Sequence, residues 1–285
     1  MEQPRALAPY EFEKIRKLAY EKFGLDLKGG KEELVSARLG KKIREGKFRS
    51  FKEYFDHVMG DKTGESLIAM IDALTTNFTS FFREAAHFEF LRKEVLPGLR
   101  ARPSIDLWCA AASTGEEPYS LAFTMLDVLG DGAAHKIHIL ATDISTRVLE
   151  AASRGVYPAE RFQGLEENYL RRHVLKGRGK SEGMYKVRPE VRKLIEYRRL
   201  NLIEPIKHDR LYPVIFCRNV MIYFDKPTQE KVVCKLSEWL EPGGHLFIGH
   251  SESLTGVSHG LRYVRPALYQ KPPAGSYSPH DRGKE

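Results

Sequence analysis

The chain has 285 residues, 42% of them hydrophobic and 29% charged, enough to bury a sizeable core and to hold one large domain plus a smaller one. No apolar run approaches the roughly 18 residues that span a bilayer, and the opening Met1-Glu2-Gln3-Pro4-Arg5 lacks the apolar core of a signal peptide. A cytoplasmic protein without membrane insertion is therefore expected, and its formal charge of +8, with a pI near 9.2, suits an acidic partner without distinguishing nucleic acid from an acidic protein surface.

The first part of the chain reads as helices. Phe12, Ile15, Leu18, Ala19 and Phe23 recur at helical spacing, as do Val35, Leu39 and Ile43, with Gly24 and Gly46 as stops. Ser50-Phe51-Lys52-Glu53 fits a capping box that opens a helix carrying Tyr54, Phe55, Val58 and Met59. A further helix carries Leu67, Met70, Ile71 and Leu74. The prediction is an all-α domain over residues 1–75, whose second helix exposes Arg38, Lys41, Lys42 and Arg44.

From Ile105 onward strands alternate with helices, the signature of a mainly parallel sheet. Strands are predicted over 105–111, 136–142, 194–200, 213–219 and 245–250. The helix before the last of these starts at Asp225 and Pro227, turns Val233, Leu236, Trp239 and Leu240 to the core, and ends at Pro242-Gly243-Gly244. Segments 260–264 and 267–271 read as an edge hairpin. Between Leu175 and Tyr197, a glycine-rich basic run is followed by Met184-Tyr185-Lys186-Val187 and Leu194-Ile195-Glu196-Tyr197, which predicts a small antiparallel insertion. The fold class is α/β: a Rossmann-like domain over 76–272, with the insertion at about 175–197 and a disordered tail over 273–285. Cys109, Cys217 and Cys234 lie in apolar segments and read as reduced core residues.

The chemistry concentrates after the first strand. Ala110-Ala111-Ala112-Ser113-Thr114-Gly115 lets the backbone turn tightly and a flat ligand approach it closely. Glu116 and Glu117 follow at once; a phosphate cradle would avoid them, whereas an ammonium group would favour them. The second strand ends on Asp143, placed to accept hydrogen bonds from ribose hydroxyls. A nucleoside with an ammonium and no phosphate points to S-adenosylmethionine rather than NAD or ATP. No Ser/His/Asp or Cys/His constellation is evident, and His245 and His250 lack a partner set for a metal, so none is indicated.

Several stretches carry a resemblance: Thr76-Asn77-Phe78-Thr79-Ser80-Phe81-Phe82-Arg83-Glu84, Ala110 through Ser120, Ala141-Thr142-Asp143-Ile144, Leu200-Asn201-Leu202, Phe216 through Phe224, and Gly249-His250-Ser251-Glu252-Ser253. In order, over nearly the whole chain, they resemble the chemotaxis receptor glutamate O-methyltransferases, the CheR family. The resemblance implies a helical N-terminal domain joined to a Rossmann-like S-adenosylmethionine-dependent domain with a small β-insertion. It implies transfer of the methyl group to a glutamate side chain on the cytoplasmic helices of a chemoreceptor, giving the γ-methyl ester and S-adenosylhomocysteine. By the same resemblance Asn77, Thr79 and Arg83 cover the methionine end of the cofactor, and Arg83 is placed to orient a carboxylate. Glu117 would receive the ammonium, Asp143 the ribose, Asn201 and Leu202 the adenine. Arg218 and Asn219 would lie beneath the methyl group, with Tyr223 at the substrate entrance, which makes Arg83 and Tyr223 the catalytic candidates. A monomer is expected. In some members the insertion binds a receptor tail peptide; this sequence leaves that open.

Plainer readings stand beside these. Asp143 could cap the next helix, Arg83 could be a surface ion-pair partner, Tyr223 a core aromatic, Glu116 a first-turn carboxylate and His250 a structural residue. A nucleic-acid base methyltransferase would suit the charge, but Arg218-Asn219-Val220-Met221 lacks both prolines of the amino-methylating motif. A non-catalytic module sensing S-adenosylmethionine is the third reading. The basic face of the second helix is either solvated surface or a docking surface for acidic helices.

Overall fold

The computed structural model describes residues 7–76 and 78–275; Asn77 and most of the predicted tail lie outside the described residues. Four helices come first: α1 (Pro9–Phe23), α2 (Glu32–Glu45), α3 (Phe51–Gly60) and α4 (Glu65–Leu74). Their apolar stripes, Phe12 and Ile15, Val35 and Leu39, Tyr54 and Val58, Met70 and Ile71, close one core. Gly24 ends α1 in the left-handed region at φ +69, which suits a residue without Cβ. Ser50 Oγ accepts the Glu53 amide at 3.1 Å, while the Glu53 carboxylate reaches back to the Arg49 amide at 2.6 Å, one residue beyond the usual box. Met59 departs from expectation. It is 57% exposed, because it lies one helical step round from the Phe51, Tyr54 and Val58 stripe.

Helix α5 (Ala85–Phe90) continues through a π turn, Leu91–Val95, into α6 (Leu96–Leu99). Then follow β1 (Ile105–Cys109), α7 (Glu116–Leu129), β2 (Ile137–Asp143), α8 (Thr146–Arg154), β3 (Val156–Pro158), α9 (Glu167–His173), β4 (Val174–Lys176), β5 (Met184–Val187) and α10 (Pro189–Arg192). The chain closes with β6 (Ile195–Arg199), β7 (Tyr212–Phe216), α11 (Lys226–Trp239), β8 (Leu240–Phe247), β9 (Arg262–Arg265) and β10 (Leu268–Gln270). The large sheet has the order β6-β2-β1-β7-β8-β10-β9, parallel as far as β8 and antiparallel beyond it. Both faces are covered. Leu107, Ile139 and Val214 enter one core while their neighbours Trp108, Leu140 and Ile215 enter the other, so the strands read as continuous apolar runs.

From β1 the chain winds outward through β2 and β6, then returns to lay β7 and β8 on the other side. The order reverses between β1 and β7, and a crevice outside their carboxyl ends is the expected ligand position. Three details differ from the sequence reading. The small sheet is β3-β5-β4, so it starts at Val156, and Ile195–Arg199 pair with β2 in the large sheet instead. Pro242-Gly243-Gly244 lies inside β8, where Glu241–Gly244 bulge opposite Pro213, a residue with no amide to give the ladder. Cys234 is exposed on α11, and Val232 takes the core position. Among the described residues no helix is long and apolar enough to cross a membrane.

Candidate functional site

Beyond β1 the chain stays with the sheet for three residues: the Ala110 amide donates to the Phe216 carbonyl at 2.7 Å and the Ala112 amide to the Thr142 carbonyl at 2.9 Å. It then turns through Ser113 at φ +47 and Gly115 at φ +99. A Cβ on Gly115 would lie 2.7 Å from Ala152 Cβ and 2.8 Å from the Tyr157 hydroxyl, so only glycine lets α7 start there. Asp143 ties this turn down. Its Oδ2 accepts the Ser113 amide at 2.8 Å and its Oδ1 the Ser145 amide at 3.0 Å, next to the start of α8. Ser145 itself caps that helix. Burial pushes the Asp143 carboxyl up to about 6; the Ser145 and Ser113 amides oppose the rise and Asp72 adds to it.

Glu117, in the first turn of α7, is buried. Its Oε2 accepts from Arg218 Nη1 at 2.7 Å and its Oε1 from the Cys109 thiol at 3.2 Å. Burial raises its carboxyl against the pull of Arg218. Glu116 turns away to the Thr114 hydroxyl, 2.7 Å, and Arg161, 3.5 Å, as a first-turn carboxylate would. Arg218 follows β7 and is itself buried; its Nη2 donates to the Arg83 carbonyl at 2.6 Å and pairs with Glu84 at 2.9 Å. Asn219 stands at φ +57 with its amide on Glu252, 2.9 Å away. Of six non-glycine residues with positive φ among those described, Phe82, Glu84, Ser113 and Asn219 cluster here, which concentrates backbone strain at this site.

All nine of the predicted site residues that the structure describes line one cavity of about 990 Å³, mouth included, at the crevice between β1 and β7: Thr79, Arg83, Glu117, Asp143, Asn201, Leu202, Arg218, Asn219 and Tyr223. Arg83 donates to the Phe78 carbonyl at 2.9 Å and stands 5.8 Å over that ring. Thr79 is buried, its carbonyl held by Arg161 at 3.0 Å. Asn201 donates to the Lys22 carbonyl at 2.8 Å and to Glu204 at 3.0 Å. Tyr223 packs against the helical core, and its hydroxyl accepts the Thr76 amide at 2.9 Å.

The helical part supplies a wall of the cavity, Phe23, Leu25, Ile71, Asp72 and Thr75, although periodicity assigns Phe23 and Ile71 only to its own core. Asp72 accepts the Ser145 hydroxyl at 2.7 Å, beside Asp143. Arg38, expected on the exposed face of α2, instead reaches the Leu74 carbonyl at 2.5 Å and the Thr76 hydroxyl at 2.8 Å. Lys41 and Arg44 are exposed, and Lys42 is half-buried.

Two carboxylates of the motif stretches to which the sequence assigns no role also stand here, the half-buried Glu84 and the buried Glu252. His250 also has company: its Nε2 is 3.9 Å from Glu84, and Glu84, His87 and His250 hold possible ligand atoms within 4.8 Å of one another. The Glu84 oxygen common to these contacts is paired with Arg218 Nη2 at 2.9 Å. Burial and the Arg218 charge push the His87 ring down to about 3, leaving it neutral.

The cavity offers a small-residue floor, a carboxylate beside the strand tip and a buried acid with a cationic partner, a donor and acceptor set suited to a nucleoside carrying an amino acid. Comparison with known proteins is direct. Residues 10–75 match the family described as "CheR methyltransferase, all-alpha domain", and residues 77–267 that described as "CheR methyltransferase, SAM binding domain". The chain is 40% identical over 262 residues to chemotaxis protein methyltransferase 2 of Pseudomonas aeruginosa, covering 91% of this chain and 92% of that one. It is 40% identical over 271 residues to the chemotaxis protein methyltransferase of Klebsiella aerogenes, covering 93% and 90%, and 38% identical over 270 residues to that of Escherichia coli, covering 94% and 93%. The chain thus belongs to the CheR methyltransferase family, as an S-adenosylmethionine-dependent methyltransferase of chemotaxis.

Proposed function

We propose that this methyltransferase acts on the side-chain carboxylates of glutamates on the cytoplasmic helices of a chemoreceptor, leaving glutamate γ-methyl esters and S-adenosylhomocysteine. One observation carries the reading: among the described residues, the cavity lining contains no histidine, cysteine or lysine that could take a proton, yet Arg83 lines it with a fixed positive charge. A base amine would have to lose a proton on methylation and would need such an acceptor. A glutamate carboxylate, with a pKa of about 4.3, is already a nucleophile at neutral pH. The lining acids are engaged: Glu117 by Arg218, Asp143 by two amides, Asp72 by Ser145.

In this reading Asp143 binds the ribose, Asn201 and Leu202 flank the adenine, and Glu117 receives the ammonium, with Thr79, Arg83 and, by family resemblance, Asn77 at the methionine end. When bound, S-adenosylmethionine supplies an activated methyl group. Arg83 and Tyr223 sit where an incoming side chain would enter, and Arg83 orients its carboxylate. Arg218 and Asn219 hold the floor. Alignment of two bound reactants can supply about 7–11 kcal/mol, so no acid or base is required. The exposed Lys41 and Arg44 of α2 suit acidic receptor helices, where complementary charge would speed encounter more than chemistry. The small β-sheet is the candidate site for a receptor tail, and the enzyme works as a cytoplasmic monomer.

The test uses radiolabelled S-adenosylmethionine and the parent cell's membranes. A labelled receptor band that releases methanol in mild base supports the reading. A base-stable label, or label on nucleic acid, overturns it.

A further inference from the structure

Glu84 is a half-buried charge to which that reading gives no task. It follows Arg83 at φ +59 and ψ +62, a left-handed conformation that a non-glycine residue holds only under constraint. Its side chain is 13% exposed and that of Arg218 only 1%. One carboxylate oxygen lies 2.9 Å from Arg218 Nη2 and accepts the His250 amide at 3.1 Å; the other accepts from Asn219 Nδ2 at 3.4 Å. The opposite nitrogen of the same guanidinium, Nη1, binds Glu117 at 2.7 Å. Two carboxylates therefore share one arginine. Of the titratable neighbours, His87 is held neutral and burial keeps the Cys109 thiol protonated, while the half-exposed His250 imidazole stands 3.9 Å from Glu84. Arg83 sends its guanidinium to the Phe78 carbonyl and offers only its own carbonyl to the cluster.

We propose that Glu84 is a positioning residue for the cofactor: by sharing the Arg218 guanidinium it keeps that one positive charge from cancelling Glu117, so that the cluster holds one negative charge for an ammonium to meet. The inference rests on the reading that Glu117 receives that ammonium. Glu84 does not line the cavity and acts through Arg218. Without it, Arg218 and Glu117 would close into a one-to-one pair, and an incoming ammonium would lose its water with no free anion in return. The cofactor's affinity would then depend on a residue it never touches.

The test compares two ligands on the full chain by calorimetric titration. Methylthioadenosine carries the nucleoside and thioether alone; decarboxylated S-adenosylhomocysteine adds an aminopropyl ammonium and no carboxylate. Glu84→Gln keeps the size and the acceptor for the His250 amide but removes the charge. It should weaken the amine ligand about tenfold, about 1.4 kcal/mol, while methylthioadenosine stays within about twofold. Glu117→Gln should show the same selectivity. If Glu117→Gln is selective and Glu84→Gln is not, Glu84 has no such role although the ammonium reading stands. If Glu117→Gln is not selective either, the ammonium reading falls and takes this inference with it. Equal loss of both ligands in Glu84→Gln shows a merely structural residue and overturns the proposal.

Discussion

Asp143 uses one carboxylate twice, holding the Ser113 turn and the start of α8 with amide bonds while facing the cavity. Its carboxyl is displaced from 3.8 to about 6. Across that window the folded protein keeps a proton that the unfolded chain has lost, so the stability of the free protein falls as pH rises through it. Ribose hydroxyls donate to the ionised form, so cofactor affinity should move the other way. Below about pH 6 it should drop by up to tenfold per pH unit. Asp143→Asn should bind roughly ten- to hundred-fold more weakly at neutral pH, the loss of a charge-assisted bond, and without that pH dependence. Titrations between roughly pH 5 and pH 8 decide the matter; an unchanged affinity in the variant would make Asp143 only a turn and cap residue. For Arg83→Ala the split should fall on turnover. Its guanidinium is proposed to align the acceptor, so kcat should fall at least about tenfold, with cofactor affinity moved less. Normal turnover with poor cofactor affinity would confine Arg83 to the methionine end.

The loop after β7 and the loop after β8 are held by one side chain. Glu252 is buried and accepts four amides: Met221 at 2.7 Å and Ile222 at 3.3 Å on one oxygen, Asn219 at 2.9 Å and Gly249 at 2.5 Å on the other. Gly249 has no room for anything larger, since a Cβ would stand 2.3 Å from Asn219 Nδ2. Glu252→Gln would turn a donor group toward two of those amides. An unsatisfied buried amide costs about 1–3 kcal/mol, so this near-isosteric change should destabilise by at least about 2 kcal/mol. Because Asn219 and Arg218 ride on the loop, methyl transfer should fall with it. Urea denaturation placing Glu252→Gln within about 0.5 kcal/mol of the parent would show that water, not the carboxylate, satisfies the loop.

The cavity is a seam between the helical part and the sheet part of the molecule. Asp72 meets Ser145, the Lys22 carbonyl meets Asn201, and Leu25 forms a bridge with Phe224. A ligand filling that seam contacts both parts, so its binding energy should hold them together. S-adenosylhomocysteine at a hundred times its Kd should add about 2.7 kcal/mol, and at about 2–4 °C per kcal/mol should raise Tm by several degrees. Amide exchange should slow in α4 as well as around β1 and β7. Protection confined to the sheet part would mean that the helical wall does not touch the cofactor.

The helical stripes, the alternating strands, the glycine turn before α7 and the acid at the tip of β2 were all legible in the chain, because periodicity and backbone φ are local properties. The site residues were named by family resemblance, and those described line the cavity. Short strands such as β3 and β4 have too few residues for a period, so the true extent of the small sheet emerges only from pairing. Ile71 and Asp72 look like any core residue and its polar neighbour until α4 is laid against the sheet. Buried charge is the strongest case. Glu117 meets Arg218 across 101 residues, and Asn219 meets Glu84 across 135. Nothing local shows which partner either acid will meet. Sequence alone sufficed for the fold class and the kind of ligand, whereas the sharing of one arginine between two carboxylates was decided by tertiary packing, because desolvation makes each charge depend on partners the fold brings to it.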